Sequence, residues 1–256
     1  MPPTTPGTQP ASPVTDRLAD LTMPLFRTIV FAAAIAGLLS GLLLTVLQQF
    51  GTVPLIVQAE VFEQAAPAPA MSGHEHQHGG EGWAPQDGIE RTGYTLVSNI
   101  VTGVAFALFL VVGFALSGRA VDWRQGLLWG IGGFAVFTLA PSLGLPPELP
   151  GMAAAPLGPR QAWWVGTAAA TATGLGLLAF RRSAAWTVLA VALLVAPHLV
   201  GAPQPAEVHG QVPHALSHRF VVTVIVTSFL FWLALGVLSA ICFGRLTQGR
   251  EQLRSA

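Results

Sequence analysis

The chain has 256 residues, 52% apolar and only 9% charged, with a mean hydropathy of +0.59; soluble domains carry roughly a quarter charged residues, so this composition reads as an integral membrane protein. Twelve acids balance twelve bases, which leaves no basic field to attract nucleic acid. All the bases are arginine, so a Walker A phosphate loop and a lysine Schiff base are excluded; no enzyme is expected, and energy for any pumping must come from a partner or a gradient.

Residues 1–22 are rich in Pro, Thr and Ser without an apolar period and read as a disordered leader, with Met23 as an alternative start. The run 27–50 is longer than a secretory h-region and lacks a small-residue cleavage site at its end, so an uncleaved first span is expected. Within it Gly37 and Gly41 form a GxxxG pair, a sign of close helix packing. A long loop, 51–93, follows. It opens with VQAEVFE, where Glu60 and Glu63 share one face if the helix continues, as metal ligands or as a solvated face. It also carries HEHQH, in which His74, His76 and His78 lie among Gly, Ala and Pro. Such a tract binds metal loosely and exchanges it quickly, which suits capture; the plain alternative is a polar loop that happens to be His-rich.

Further apolar runs at 94–116, 125–143, 162–180, 184–200 and 217–243 are each near the roughly 20 residues needed to cross hydrocarbon. The expected fold is therefore all-α, a polytopic transmembrane helix bundle of six spans over 23–246 with a short cytoplasmic tail, 247–256. Five spans is the competitor, because only Arg181, Arg182 and Ser183 separate the fourth and fifth runs. Arginine placement favours six. Six spans put Arg17, Arg27, Arg119, Arg124, Arg181, Arg182, Arg245, Arg250 and Arg254 on one side and only Arg91, Arg160 and Arg219 on the other. Basic residues in short loops stay cytoplasmic, so both termini are expected inside a bacterial plasma membrane.

The same topology gathers all seven histidines and eight of the twelve acids on the outer face, a field that concentrates cations. Carboxylates with imidazoles suit Co²⁺, Ni²⁺, Zn²⁺ or Mn²⁺ better than Cu⁺, which favours sulfur. In PSLGLPPELPG, Pro141 is expected to end the third helix and the prolines to hold Glu148 at the outer mouth; its plain alternative is a tight turn with an exposed acid. Between the last two spans lie His198, His209, His214 and His218. Pro197 should bend or end the fifth helix and turn His198 toward the bundle. Pro213 suits a first helical turn, which places His214 and His218 four apart on one side, a spacing that lets two imidazoles share a metal. Histidines at an interface are also often only solvated, and His209, beside Gly210, is the expected bystander. Cys242 is expected to pack as a small apolar residue.

Away from the span ends the polar residues are Asn99, Thr102, Thr138, Ser142, Thr167, Thr171, Thr223, Thr227 and Ser228. A bare divalent ion in hydrocarbon is prohibitively costly, so a path would need water, carbonyls and these hydroxyls, or a second subunit. The plain alternative is that they bond their own i−4 carbonyls.

The segments FRTIVFAAAIAGLLSGLLLTVLQ, VQAEVFE, GLPPELPG and APHLVGAP, in this order, resemble the CbtA family of bacterial cobalt transporter subunits linked to cobalamin metabolism. The resemblance implies cobalt uptake beside a small single-span, His-bearing partner, with Glu148, His198, Glu60 and Glu63 as the positions carried over; the family is commonly given five spans. HEHQH belongs to no family pattern and rests on its own chemistry. The expected function is a membrane permease component for divalent transition metals, cobalt first and Ni²⁺ or Zn²⁺ next, with no tightly bound cofactor. Two alternatives stand beside it: a membrane haem or metal protein with His198 and His218 as ligands, and a metal sensor that binds without transport.

Overall fold

A computed structural model of the chain describes residues 13–64, 85–205 and 212–255. Among them all regular structure is helical: α1 (Pro13–Phe50), α2 (Val53–Gln64), α3 (Ile89–Ser117), α4 (Trp123–Phe134), a π-helical turn (Ala135–Leu139), α5 (Ala140–Ser142), α6 (Leu157–Phe180), α7 (Ala184–Val200) and α8 (His214–Ser255). Helices are what lipid requires, since they pair every backbone N–H and C=O within one segment. Four stretches, Pro24–Phe50, Ile89–Ser117, Leu157–Phe180 and His214–Gly249, are long and apolar enough to cross a membrane. Two shorter apolar rods accompany them, α7 and the continuous helical run from α4 through α5. The helix of α1 is assigned from Pro13, within the segment read as a leader, and its membrane-competent part begins at Pro24.

Small residues lie where helices approach most closely, and many large apolar side chains face outward, as expected when lipid is the solvent. Ala32, Ala33, Ala36 and Ala107 are fully buried, while Phe31, Val101, Leu128 and Val188 are exposed. Two seams bring backbones together. A Cβ at Gly37 would strike the backbone of Val104, and one at Gly41 the backbone of Ile100, so the GxxxG pair packs α1 onto α3. Likewise a Cβ on Gly126 would meet the Gly236 carbonyl, and one on Gly130 the Trp232 carbonyl, which locks α4 against α8. Contacts pair rising numbers on one helix with falling numbers on the other, so both seams are antiparallel. One end of the bundle therefore holds Phe50, Ile89, Ser142, Leu157, Val200 and His214; the far end holds Ser117, Trp123, Phe180 and Ala184.

The third apolar run extends one residue beyond Pro141, to Ser142, and the proline acts upstream instead. Pro141 has no N–H for the carbonyl of Phe137, four residues back, and its ring crowds that carbonyl. The chain widens just before it: the Ala140 N–H bonds the Ala135 carbonyl, five residues back. Single π turns of this kind mark functional positions in many helices. Beyond the helix, Met152 N–H bonds the Leu149 carbonyl at 3.2 Å and Gly151 takes φ 78°, so Leu149–Pro150–Gly151–Met152 is a turn with proline second and glycine third.

Candidate functional site

At the end that holds Ser142 and Leu157, the buried cluster Leu55, Ala59, Leu149 and Phe220 lays α2 and the proline-braced turn onto the start of α8. Leu149 is next to Glu148 and Ala59 next to Glu60, so one patch of packing fixes the backbone of both carboxylates. Each carboxylate meets an arginine. Arg91, in the first turn of α3, reaches Glu60 with both terminal nitrogens, one to Oε2 at 3.3 Å and the other to Oε1, and also holds Asp87 at 2.9 Å. Arg160 of α6 lies 3.1 Å from Oε2 of Glu148, and both side chains are partly buried. The fork that grips Glu60 is the strong, planar kind; the single contact on Glu148 leaves more of that carboxylate uncommitted.

Glu148 and Arg160 line a cavity of about 760 Å³. Its walls come from the π turn (Phe137, Thr138), the helix end (Ser142) and α6 (Gln161, Trp164). A carboxylate, hydroxyls and an amide thus face water at the mouth of an otherwise apolar bundle. Glu148 is thus a carboxylate in a water-facing cavity, its charge balanced by Arg160 through a single contact.

The family profile described as "Probable cobalt transporter subunit (CbtA)" matches residues 26–244. The chain belongs to the CbtA family. No curated protein and no solved structure matches it. With its membrane-competent helices, this CbtA chain is a multi-pass membrane protein, and its family is described as one of probable transporter subunits.

The other CbtA site expectations fall as follows. His198 lies in the last turn of α7, which carries Pro197 inside it and ends at Gly201. Its ring packs edge-on against Trp163 at 6.0 Å, and Trp163 Nε1 donates to the Pro197 carbonyl at 3.2 Å. His198 is therefore held beside α6 but is not in the Glu148 cavity wall. His214 and His218 occupy the start of α8, four apart and exposed, where the Pro213 carbonyl accepts the first helical bonds. Glu63 follows Glu60 on α2, and its side chain lies outside the described residues, as do His74, His76, His78 and His209. Among the described residues no three of His, Cys, Asp and Glu are grouped closely enough to hold a metal.

Arg91 and Arg160, the ion-pair partners of Glu60 and Glu148, were not singled out by the sequence reasoning. A signal existed: both are on the arginine-poor side, against the bias of the other nine, and an arginine placed there calls for a local counter-charge. Gln48 was missed as well. Its Oε1 accepts from Asn99 Nδ2 at 2.7 Å, and the same Asn99 nitrogen reaches Thr45 Oγ1 at 3.0 Å.

Proposed function

We propose that this chain is the membrane subunit of a bacterial inner-membrane uptake system for Co²⁺, with both termini cytoplasmic and the Glu148 end facing the periplasm. A small single-span, His-bearing subunit is the proposed partner. Hydrated cobalt is first gathered by the HEHQH tract, His74 to His78, and by the outward-facing acids. It then enters the cavity at Glu148, with Glu60, Glu63, His198, His214 and His218 as further ligands around the mouth.

The observation that carries this reading is the Glu148–Arg160 pair inside a roomy, water-accessible cavity of a CbtA-family bundle. A transporter must bind well enough to admit its ion and weakly enough to release it. A carboxylate already neutralised by arginine meets both demands, because Arg160 returns as the ion leaves.

The test is accumulation of labelled cobalt by cells carrying the full chain, wild type against Glu148→Gln. The wild type should raise accumulation, and the glutamine variant should lose about tenfold of it at limiting cobalt, the scale of one charge-assisted contact. Cobalt bound by the wild type without accumulation would instead favour the sensor reading.

A further inference from the structure

A second cavity, of about 280 Å³, opens between α1, α3 and α8. Its polar wall consists of Gln48, Thr52, Thr102, Thr138, Thr227 and Ser228. Thr138 also lines the Glu148 cavity, so the two chambers share a wall residue in the π turn. The floor is aromatic: Phe106 lies 4.8 Å from Trp232, and Trp232 stacks on Phe137 at 5.6 Å and 4°.

Thr52 donates to the Gln48 carbonyl at 3.4 Å, but the other four hydroxyls here behave unlike most threonines of the molecule. Thr45, Thr92, Thr95, Thr173, Thr187, Thr223 and Thr247 each donate to the carbonyl four residues back, at 2.8–3.3 Å. Among the described residues, Thr102, Thr138, Thr227 and Ser228 make no such bond, and all four face the chamber. Ser40, Thr167, Thr171 and Ser239 are also unpartnered, but they line neither chamber. Free hydroxyl oxygens turned toward a cavity accept hydrogen bonds from whatever fills it. Gln48 Oε1, held by Asn99, keeps a second lone pair for the same purpose.

We propose that this inner chamber binds a divalent cation with its first hydration shell intact, its waters donating to Thr102, Thr138, Thr227, Ser228 and Gln48. The inference rests on the uptake reading above and names the form in which the ion passes Thr138. The lining has no carboxylate, imidazole or thiolate, and its neutral hydroxyl and amide oxygens would compensate a stripped divalent ion poorly, so an intact hydration shell is the cheaper state. Size agrees. Six waters at about 30 Å³ each need about 180 Å³, which fits within 280 Å³.

Hexaamminecobalt(III) is the probe, because its six ligands do not exchange and it mimics a hydrated ion that cannot be stripped. In cells carrying the full chain it should block Co²⁺ uptake by the wild type. Thr102→Val with Thr227→Val should lower maximal uptake about tenfold or more, the scale of lost bonds to a charged ligand, and should weaken the block. Thr102→Ser with Thr227→Ser should restore both. Wild-type uptake indifferent to hexaamminecobalt(III), or a valine variant with full uptake and full block, would overturn the proposal while leaving cobalt transport standing. Should the valine variant fail to fold, the wild-type block and the serine variant decide alone. If the wild type takes up no cobalt, the uptake reading itself falls; binding of hexaamminecobalt(III) to the purified full chain by equilibrium dialysis, lost in the valine variant, then still decides the chamber.

Discussion

Arg160 sets how tightly Glu148 can hold an ion. Its guanidinium is 3.1 Å from the carboxylate, and at an effective dielectric near 20 such a pair interacts by about 4 kcal/mol before solvent screening. Replacing it by glutamine frees a full negative charge in the cavity. Arg160→Gln should therefore lower the half-saturating cobalt concentration about tenfold and also lower the maximal rate, since release slows; uptake kinetics across cobalt concentration read both, and unchanged half-saturation would contradict the role. Deleting residues 74–78 should do the opposite, raising half-saturation and leaving maximal uptake nearly intact; an equal loss of maximal uptake would rule out capture by that tract. The carboxylates were legible in the sequence because GLPPELPG and VQAEVFE place them beside apolar anchors, Leu149 and Ala59. Their arginines were not, because Glu60 meets Arg91 across 31 positions and only the fold brings them together. His198 was foreseen turning inward, and it does so against an indole, Trp163, with which it shares no sequence motif.

The helices themselves are fixed by two glycine seams, and these make stability predictable position by position. At Gly41 and Gly130 an added Cβ would meet backbone, which cannot swing aside. Gly41→Val or Gly130→Val should destabilise the purified protein by at least the 1–3 kcal/mol typical of about one overpacked side chain, seen as a lower thermal midpoint in detergent. Gly166 provides the control, since a Cβ there meets nothing within 4 Å; Gly166→Ala should leave the midpoint unchanged. A Gly41 variant as stable as the Gly166 variant would refute the close approach of α1 to α3. The GxxxG pair announced the first seam in the sequence. Gly126 and Gly130 form a second GxxxG pair, which the sequence reading passed over; only its partner Gly236, on α8, had to wait for the fold. The π turn was hidden for another reason. A one-residue widening ahead of Pro141 hardly alters an apolar run of 20 residues, yet it decides that Phe137 and Thr138 line the chambers.

Charge asymmetry is the ground for the proposed direction of the molecule in the membrane. With six spans, nine arginines fall at the far end and three at the Glu148 end, and two of those three are paired with carboxylates. Reporter fusions after residue 256 and within 118–122 should both report cytoplasm, and a fusion within 65–84 should report periplasm. A periplasmic C-terminus would mean an odd number of spans and would separate Glu148 from the histidines of the 201–218 segment. The all-α, multi-pass character was legible from hydropathy, because lipid imposes helices on a chain that spans it this way. The chambers were not, because a cavity is made where several helices fail to touch. The decisive measurement is anomalous diffraction at the cobalt absorption edge from crystals of the full chain grown with Co²⁺. The account predicts a cobalt peak within the cavity bounded by Glu148, Ser142 and Thr138; cobalt ordered only on the exposed His214–His218 face, with that cavity empty, would contradict it.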